Sequence, residues 1–161
     1  YFGSGFVAER GNNWLTGMYA NYNIYKTKDS RYVSVGCLEK KFWTNLCNAL
    51  ERTDLIDLID CEENHPYLKE QLTLEFEKRT MAEWETYLKG KDTCVTPILN
   101  FAEACDAEQT KANEMVLTVN DEELGEYKQI GFAMKLSKTP AQLSKRAPRL
   151  GEDNKEILGE D

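Results

Sequence analysis

The hydrophobic period of the chain changes at Gly36, and that change restricts the fold more than any other feature of the sequence. Before it, two runs rich in aromatic and β-branched residues, Tyr22–Thr27 and Arg31–Gly36, flank the polar Lys28-Asp29-Ser30. In the second run Tyr32, Ser34 and Gly36 oppose Val33 and Val35, as the two faces of a half-buried strand do. Two such runs around a short polar turn predict a β-hairpin. Beyond Gly36 the apolar residues Leu38, Phe42, Leu46 and Leu50 recur every four positions, with Ala49 beside them, which predicts a helix face. A strand therefore passes into a helix across Cys37-Leu38-Glu39.

The remainder reads as further short elements. Leu55, Ile56, Leu58 and Ile59 form an apolar cluster, and Leu68, Leu72 and Phe76 give a second four-residue stripe within about Pro66–Lys78. Thr80 and Glu83 have the spacing of a capping box, followed by Met81, Trp84 and Leu88 along a helix; Asn100 and Glu103 could cap another. Met115–Val119 and Ile130–Leu136 read as strands around the acidic turn Asp121–Gly125, and Gly151–Glu160 as a short terminal helix. No strand–helix–strand rhythm is present, so the fold class expected is α+β: a β-hairpin, several helices, two further strands and an extended C-terminal tail. Tyr1–Thr16, with Gly3, Gly5 and Gly11 and no period, reads as a linker or arm. Since Tyr1 is not a start methionine, the chain is expected to come from something longer. The organisation expected is an arm over residues 1–17, a small α+β domain over 18–120, and a strand and tail over 121–161.

Composition narrows the function. Of the 161 residues 41% are apolar and 30% charged, a profile that folds, and the net charge of -8 leaves no basic patch for a nucleic-acid backbone. No apolar run has transmembrane length. The five cysteines (Cys37, Cys47, Cys61, Cys94, Cys105) contain no CxxC pair, and one histidine, His65, is available to a metal site. Neither a zinc site nor a disulfide framework is expected, and the cysteines read as reduced residues of a cytoplasmic protein, with Cys37 and Cys47 in or beside the core.

No complete catalytic constellation emerges from the residues themselves. His65, in Glu63-Asn64-His65-Pro66, reads as an exposed residue at a helix start, not as part of a triad. Gly3-Ser4-Gly5 lacks the strand and third glycine of a dinucleotide fingerprint, and Asp121, Glu122, Glu123 and Glu126 lack calcium-loop spacing. Glu39, at the junction of strand and helix, is the one acid placed where rigid elements could hold a functional side chain; by position alone it could equally complement the helix dipole.

Several short motifs in order resemble the smaller domain and C-terminal return of family III CoA-transferases (CaiB/BaiF type). Arg10-Gly11-Asn12-Asn13-Trp14-Leu15-Thr16-Gly17 is similar to that family's RGxNxLxG, and Tyr22–Val35 to its YxxYxTxDGxxxxV hairpin, with Ser30 where glycine is usual. Val35-Gly36-Cys37-Leu38-Glu39-Lys40-Lys41-Phe42-Trp43 resembles VGxxExxFW, Lys40 replacing a frequent proline. Arg79-Thr80 through Trp84 resembles [RK]TxxEW, and Asp92–Leu99 resembles DxCVTPVL. Leu136–Pro140, Ala147–Glu152 and Glu156–Leu158 follow the closing pattern. No metal, nucleic-acid or membrane partner is expected from the composition. The resemblance implies an interlocked homodimer that acts on acyl-CoA, with coenzyme A as part of the substrate and no tightly bound cofactor. On the same resemblance, residues 1–17 are an arm from a missing N-terminal domain and 121–161 return towards that large domain. It also implies that the transferase nucleophile and the racemase histidine and aspartate lie upstream, so this stretch alone is catalytically incomplete. In the α-methylacyl-CoA racemases of the group the motif glutamate supports the catalytic histidine. Glu39 matches that position, and the Asp92–Pro97 wording is also racemase-like. The expected activity is α-proton exchange in a racemase or epimerase. Transfer of CoA between an acyl-CoA and a carboxylic acid is the alternative, and a non-catalytic dimerisation or binding module the second.

Overall fold

Strand β1 (Tyr22–Lys26) pairs antiparallel with β2 (Tyr32–Gly36), in a register running from Tyr22 opposite Gly36 to Lys26 opposite Tyr32. The hairpin turn is closed by the Thr27 amide donating to the Arg31 carbonyl at 2.9 Å and the Ser30 amide donating to the Thr27 carbonyl at 2.9 Å. Ser30 has φ 61, which explains why glycine is usual at this place: the turn needs left-handed backbone there. A third strand, β3 (Val95–Pro97), lies antiparallel along the other edge of β2, pairing Val33 with Pro97 and Val35 with Val95. This strand was not foreseen in the Asp92–Leu99 stretch, since three residues are too few to show an alternation.

Tyr25, Val33 and Val35 face the core from this sheet. Against them pack the helices α1 (Lys40–Ala49), α2 (His65–Phe76) and α3 (Met81–Leu88), with 3-10 turns at Thr53–Asp60 and Glu62–Asn64. The α1 face differs from the expected stripe. Leu46 and Leu50 are buried, but Leu38 lies ahead of the helix and is exposed, Phe42 is half-buried, and Trp43 and Cys47 are fully buried. A strict four-residue spacing drifts by about 40° per repeat around a 3.6-residue helix, so a buried face must also take i+3 neighbours. In α2 the expected Leu68, Leu72 and Phe76 are all buried. Phe76 is the hub: Tyr25 stacks on it with ring centroids 5.3 Å apart, and Trp84 meets it edge-on at 5.1 Å. The Trp84 indole donates to the Phe76 carbonyl at 2.8 Å, satisfying an acceptor at the end of α2.

The Thr80 capping box is present in full. The Glu83 amide donates to Thr80 Oγ1 at 3.3 Å and the Thr80 amide to Glu83 Oε2 at 2.7 Å. Thr80→Ala is expected to cost about 1 kcal/mol, read as a lowered urea midpoint with an unchanged slope. Glu75, 6% exposed on α2, accepts from Arg52 at 3.3 Å and from Lys78 at 2.6 Å, so its burial is matched by two cations.

The structure is a computed structural model describing residues 1–159, and it divides into two compact units, Tyr1–Ile98 and the segment from Leu99 onward. In the second unit Asn100 and Glu103 form the expected capping box at α4 (Phe101–Asp106), followed by α5 (Glu108–Ala112). Strand β4 (Val116–Asp121) then turns into β5 (Gly125–Ile130), pairing Asp121 with Gly125 and Val116 with Ile130. The return strand therefore begins at Gly125, not at Ile130. The Asp121 carboxylate accepts from the amides of Glu123 at 2.8 Å and Leu124 at 2.9 Å, and Gly125 has φ 73, so the acidic segment is a tight turn with no room for a longer loop. Further on, the Arg146 guanidinium reaches Asp121 at 2.9 Å and Glu152 at 2.8 Å. The terminal helix α6 covers Asn154–Leu158; Glu160 of the expected helix lies outside the described residues. The fold class is α+β, as the sequence implies.

Candidate functional site

Glu39 stands between two elements whose positions are fixed by the core. On the strand side, Val33 and Val35 are 1% and 3% exposed, which sets the end of β2. On the helix side Glu39 is the N-cap residue of α1, with φ -76 and ψ 137, and its carbonyl accepts from the amides of Phe42 at 3.0 Å and Trp43 at 3.2 Å. Trp43 is pinned in turn, since its indole donates to the Ile56 carbonyl at 3.1 Å. The Glu39 side chain makes no capping hydrogen bond and is exposed. At the N-terminal end of α1 its charge still complements the helix dipole, and its side chain is left exposed beside that end.

The lysines that follow Glu39 are committed to other acids. Lys40 lies 2.8 Å from Asp60 and Lys41 lies 2.6 Å from Asp92. Both ammonium groups are held above their ordinary pKa by those hydrogen bonds. Cys94 has φ 48, and its thiol is pushed up by burial and by the nearby carboxylates of Asp92 and Glu39. Cys37 is fully buried, donates to the Thr93 carbonyl at 2.8 Å, and is pushed up to about 12 by burial, so it is a neutral thiol of the core. Cys47 is likewise buried and pushed up to about 12. Among the described residues the cysteines are free and no group of three or more acids, histidines and cysteines could hold a metal ion.

Two clefts border the junction. One of about 400 Å³ runs between the N-terminal arm and the sheet, lined by Leu15, Gly17, Tyr22, Ile24, Ser34 and Cys94 among others. The other, about 370 Å³, includes Trp14, Asn21, Leu38, Lys40, Trp43 and His65. Leu38 and Lys40, the neighbours of Glu39, both line this second cleft. Its walls combine aromatic faces with polar groups.

His65 is not the exposed residue expected from the sequence. It is 6% exposed, its Nδ1 accepts from the Ala20 amide at 3.1 Å, and Tyr19 packs against its ring with centroids 4.4 Å apart. A backbone amide 45 residues away satisfies the imidazole, and nothing local in the sequence signals that pairing. Burial, together with Lys69, holds its pKa below the ordinary 6.5, against the opposing pull of Glu62. The folded form therefore resists protonation that the unfolded chain accepts. This contribution to stability is complete above about pH 6.5 and is lost as the pH falls below it. His65→Asn keeps an acceptor near the Ala20 amide but cannot titrate there. It is expected to flatten the loss of urea midpoint between about pH 7 and pH 5.

The family profile described as CoA-transferase family III matches residues 1–154. The chain belongs to that family. This family III chain is similar to the alpha-methylacyl-CoA racemase of Mus musculus, 35% identical over 154 residues that cover 94% of the chain and 39% of the relative. It is also similar to the succinyl-CoA:glutarate CoA-transferase of Mus musculus, at 26% identity over 86% of the chain and 33% of the relative. Its fold matches a crystal structure of a CaiB/BaiF family protein from Brucella suis with a TM-score of 0.73, at 19% identity, over 99% of the chain and 42% of that structure. The chain thus spans about two fifths of the length of the racemase it matches. Among the described residues no helix is long and apolar enough to cross a membrane.

Proposed function

We propose that the full-length protein is an acyl-CoA racemase or epimerase that exchanges the proton α to the thioester carbonyl, and that this chain supplies a supporting carboxylate, Glu39. The observation that carries the reading is the state of Glu39: backbone fixed from both sides, side chain exposed and not used to cap its helix. The 35% identity to a racemase over 94% of the chain supports the same reading.

The chemistry suits such a residue. A thioester α-proton is weakly acidic, so exchange needs a base on one face, an acid on the other and stabilisation of the enolate oxygen. The histidine and aspartate for these roles lie outside this chain in the proposed enzyme. A carboxylate hydrogen-bonded to that histidine fixes its tautomer and stabilises the imidazolium formed when the α-proton is taken. Glu39 plays that part, presented across the interface of an interlocked homodimer, and the enzyme is cytoplasmic. Residues 1–17 serve as an arm, 18–120 as the small domain, and 121–161 as the return towards the large domain.

The test is a single enantiomer of a 2-methylacyl-CoA given to the full-length protein without any acceptor acid. Formation of the other enantiomer is the expected result. An enantiomer that stays unchanged until a free carboxylic acid is added, and then yields a new acyl-CoA, would move the protein to the transferases.

A further inference from the structure

We infer that Asn21 is a positioning residue for Glu39, an inference that rests on the function proposed for Glu39. The backbone of Cys37 offers one donor and one acceptor, and a single residue takes both. The Cys37 amide donates to the Asn21 carbonyl at 2.8 Å, and the Asn21 side-chain Nδ2 donates to the Cys37 carbonyl at 3.0 Å. The clamp lies two residues before Glu39, just past the end of β2, where the ladder between β1 and β2 has stopped at the Tyr22–Gly36 pair. No strand hydrogen bond holds the chain from Cys37 onward until the first turn of α1 forms on the Glu39 carbonyl. Asn21 supplies the missing restraint from one side of this gap, and the Cys37 thiol, bonded to Thr93, supplies another.

The burial of Asn21 argues that its side chain is kept for this purpose. The residue is 7% exposed and lines the cleft that also holds Leu38 and Lys40. Its Oδ1 is buried without a partner in the structure. A buried acceptor left unpaired is costly, and an aliphatic residue of the same size would avoid that cost. What the amide gives in exchange is the Nδ2 bond to Cys37, which fixes the segment carrying Glu39. Reactions of this kind lose rate steeply when a group shifts by about 1 Å, so a loosened Cys37-Leu38 segment should act on turnover more than on binding.

The test uses the full-length protein, α-proton exchange with a 2-methylacyl-CoA, and a double-mutant cycle. Asn21→Leu keeps the volume and the backbone carbonyl but removes the side-chain donor. It is expected to lower kcat about tenfold with KM within about twofold. In a Glu39→Gln background the same substitution is expected to lower kcat no further, because both act through one carboxylate. Asn21→Ala, which lacks the donor and brings no charge, is read the same way if the leucine variant does not fold. An unchanged kcat, or a loss that multiplies with that of Glu39→Gln, would overturn the inference. If instead Glu39→Gln itself leaves kcat intact, it is the role of Glu39 that fails, and the positioning role falls with it.

Discussion

Glu39→Gln in the full-length protein is expected to lower kcat for α-proton exchange by about 10- to 100-fold while KM stays within about twofold. The substitution preserves shape and hydrogen-bonding reach but removes the charge. Because the Glu39 side chain makes no capping hydrogen bond, the substitution removes only a charge–dipole interaction at the start of α1, and the backbone bonds from Phe42 and Trp43 to the Glu39 carbonyl remain. Stability should therefore change little, which separates a loss of chemistry from a loss of folded protein. Such a carboxylate acts on the imidazolium formed during proton abstraction more than on the bound ground state, so kcat should carry the loss. Steady-state kinetics with a thermal melt of each variant decide it. Equal kcat for both would remove Glu39 from the mechanism.

Trp84→Ala is expected to destabilise the fold by about 3–5 kcal/mol, a large part of the total stability of a typical domain. Trp84 is fully buried between Phe76 and Tyr87, with ring centroids at 5.1 and 5.8 Å, and the Arg79 guanidinium lies 4.7 Å from its ring. Removing the indole opens a cavity where three elements meet and strips the Phe76 carbonyl of its donor. Trp84→Phe retains most of the apolar volume but not that hydrogen bond, and should cost distinctly less than the alanine substitution. Denaturant unfolding of the two variants measures both terms, and equal midpoints for Trp84→Ala and the parent protein would contradict the packing described.

The parts of this fold that were legible in the sequence are those fixed by neighbours in the chain. The hairpin was, because the alternation of Tyr32 to Val35 and the Lys28-Asp29-Ser30 turn are local. The capping boxes at Thr80 and Asn100 were, because three residues suffice to specify them. The rest depends on distant partners. β3 exists because Val95–Pro97 finds the free edge of β2, and His65 is buried because the Ala20 amide reaches it. Trp43 was missed because a strict four-residue stripe pointed at Leu38, which the helix does not include. The start of β5 was misplaced because the Asp121 turn is tighter than its run of acids implies.

The candidate site was legible only in part, and for the same reason. Glu39 could be singled out from its place between strand and helix and from the VGxxExxFW resemblance, but neither shows what its side chain does. Its surroundings are assembled from afar: Asn21 lies 16 residues away from the Cys37 it clamps, and the Thr93 carbonyl that takes the Cys37 thiol lies 56 away. No local pattern marks either residue.

The most direct measurement is deuterium incorporation at the α-carbon of a 2-methylacyl-CoA incubated with the full-length protein in deuterated water, with no acceptor acid present. One deuterium at that carbon is expected, with incorporation slowed in Glu39→Gln. A protonated α-carbon after prolonged incubation, with CoA passing to a carboxylic acid once one is supplied, would contradict it and return Glu39 to a structural residue.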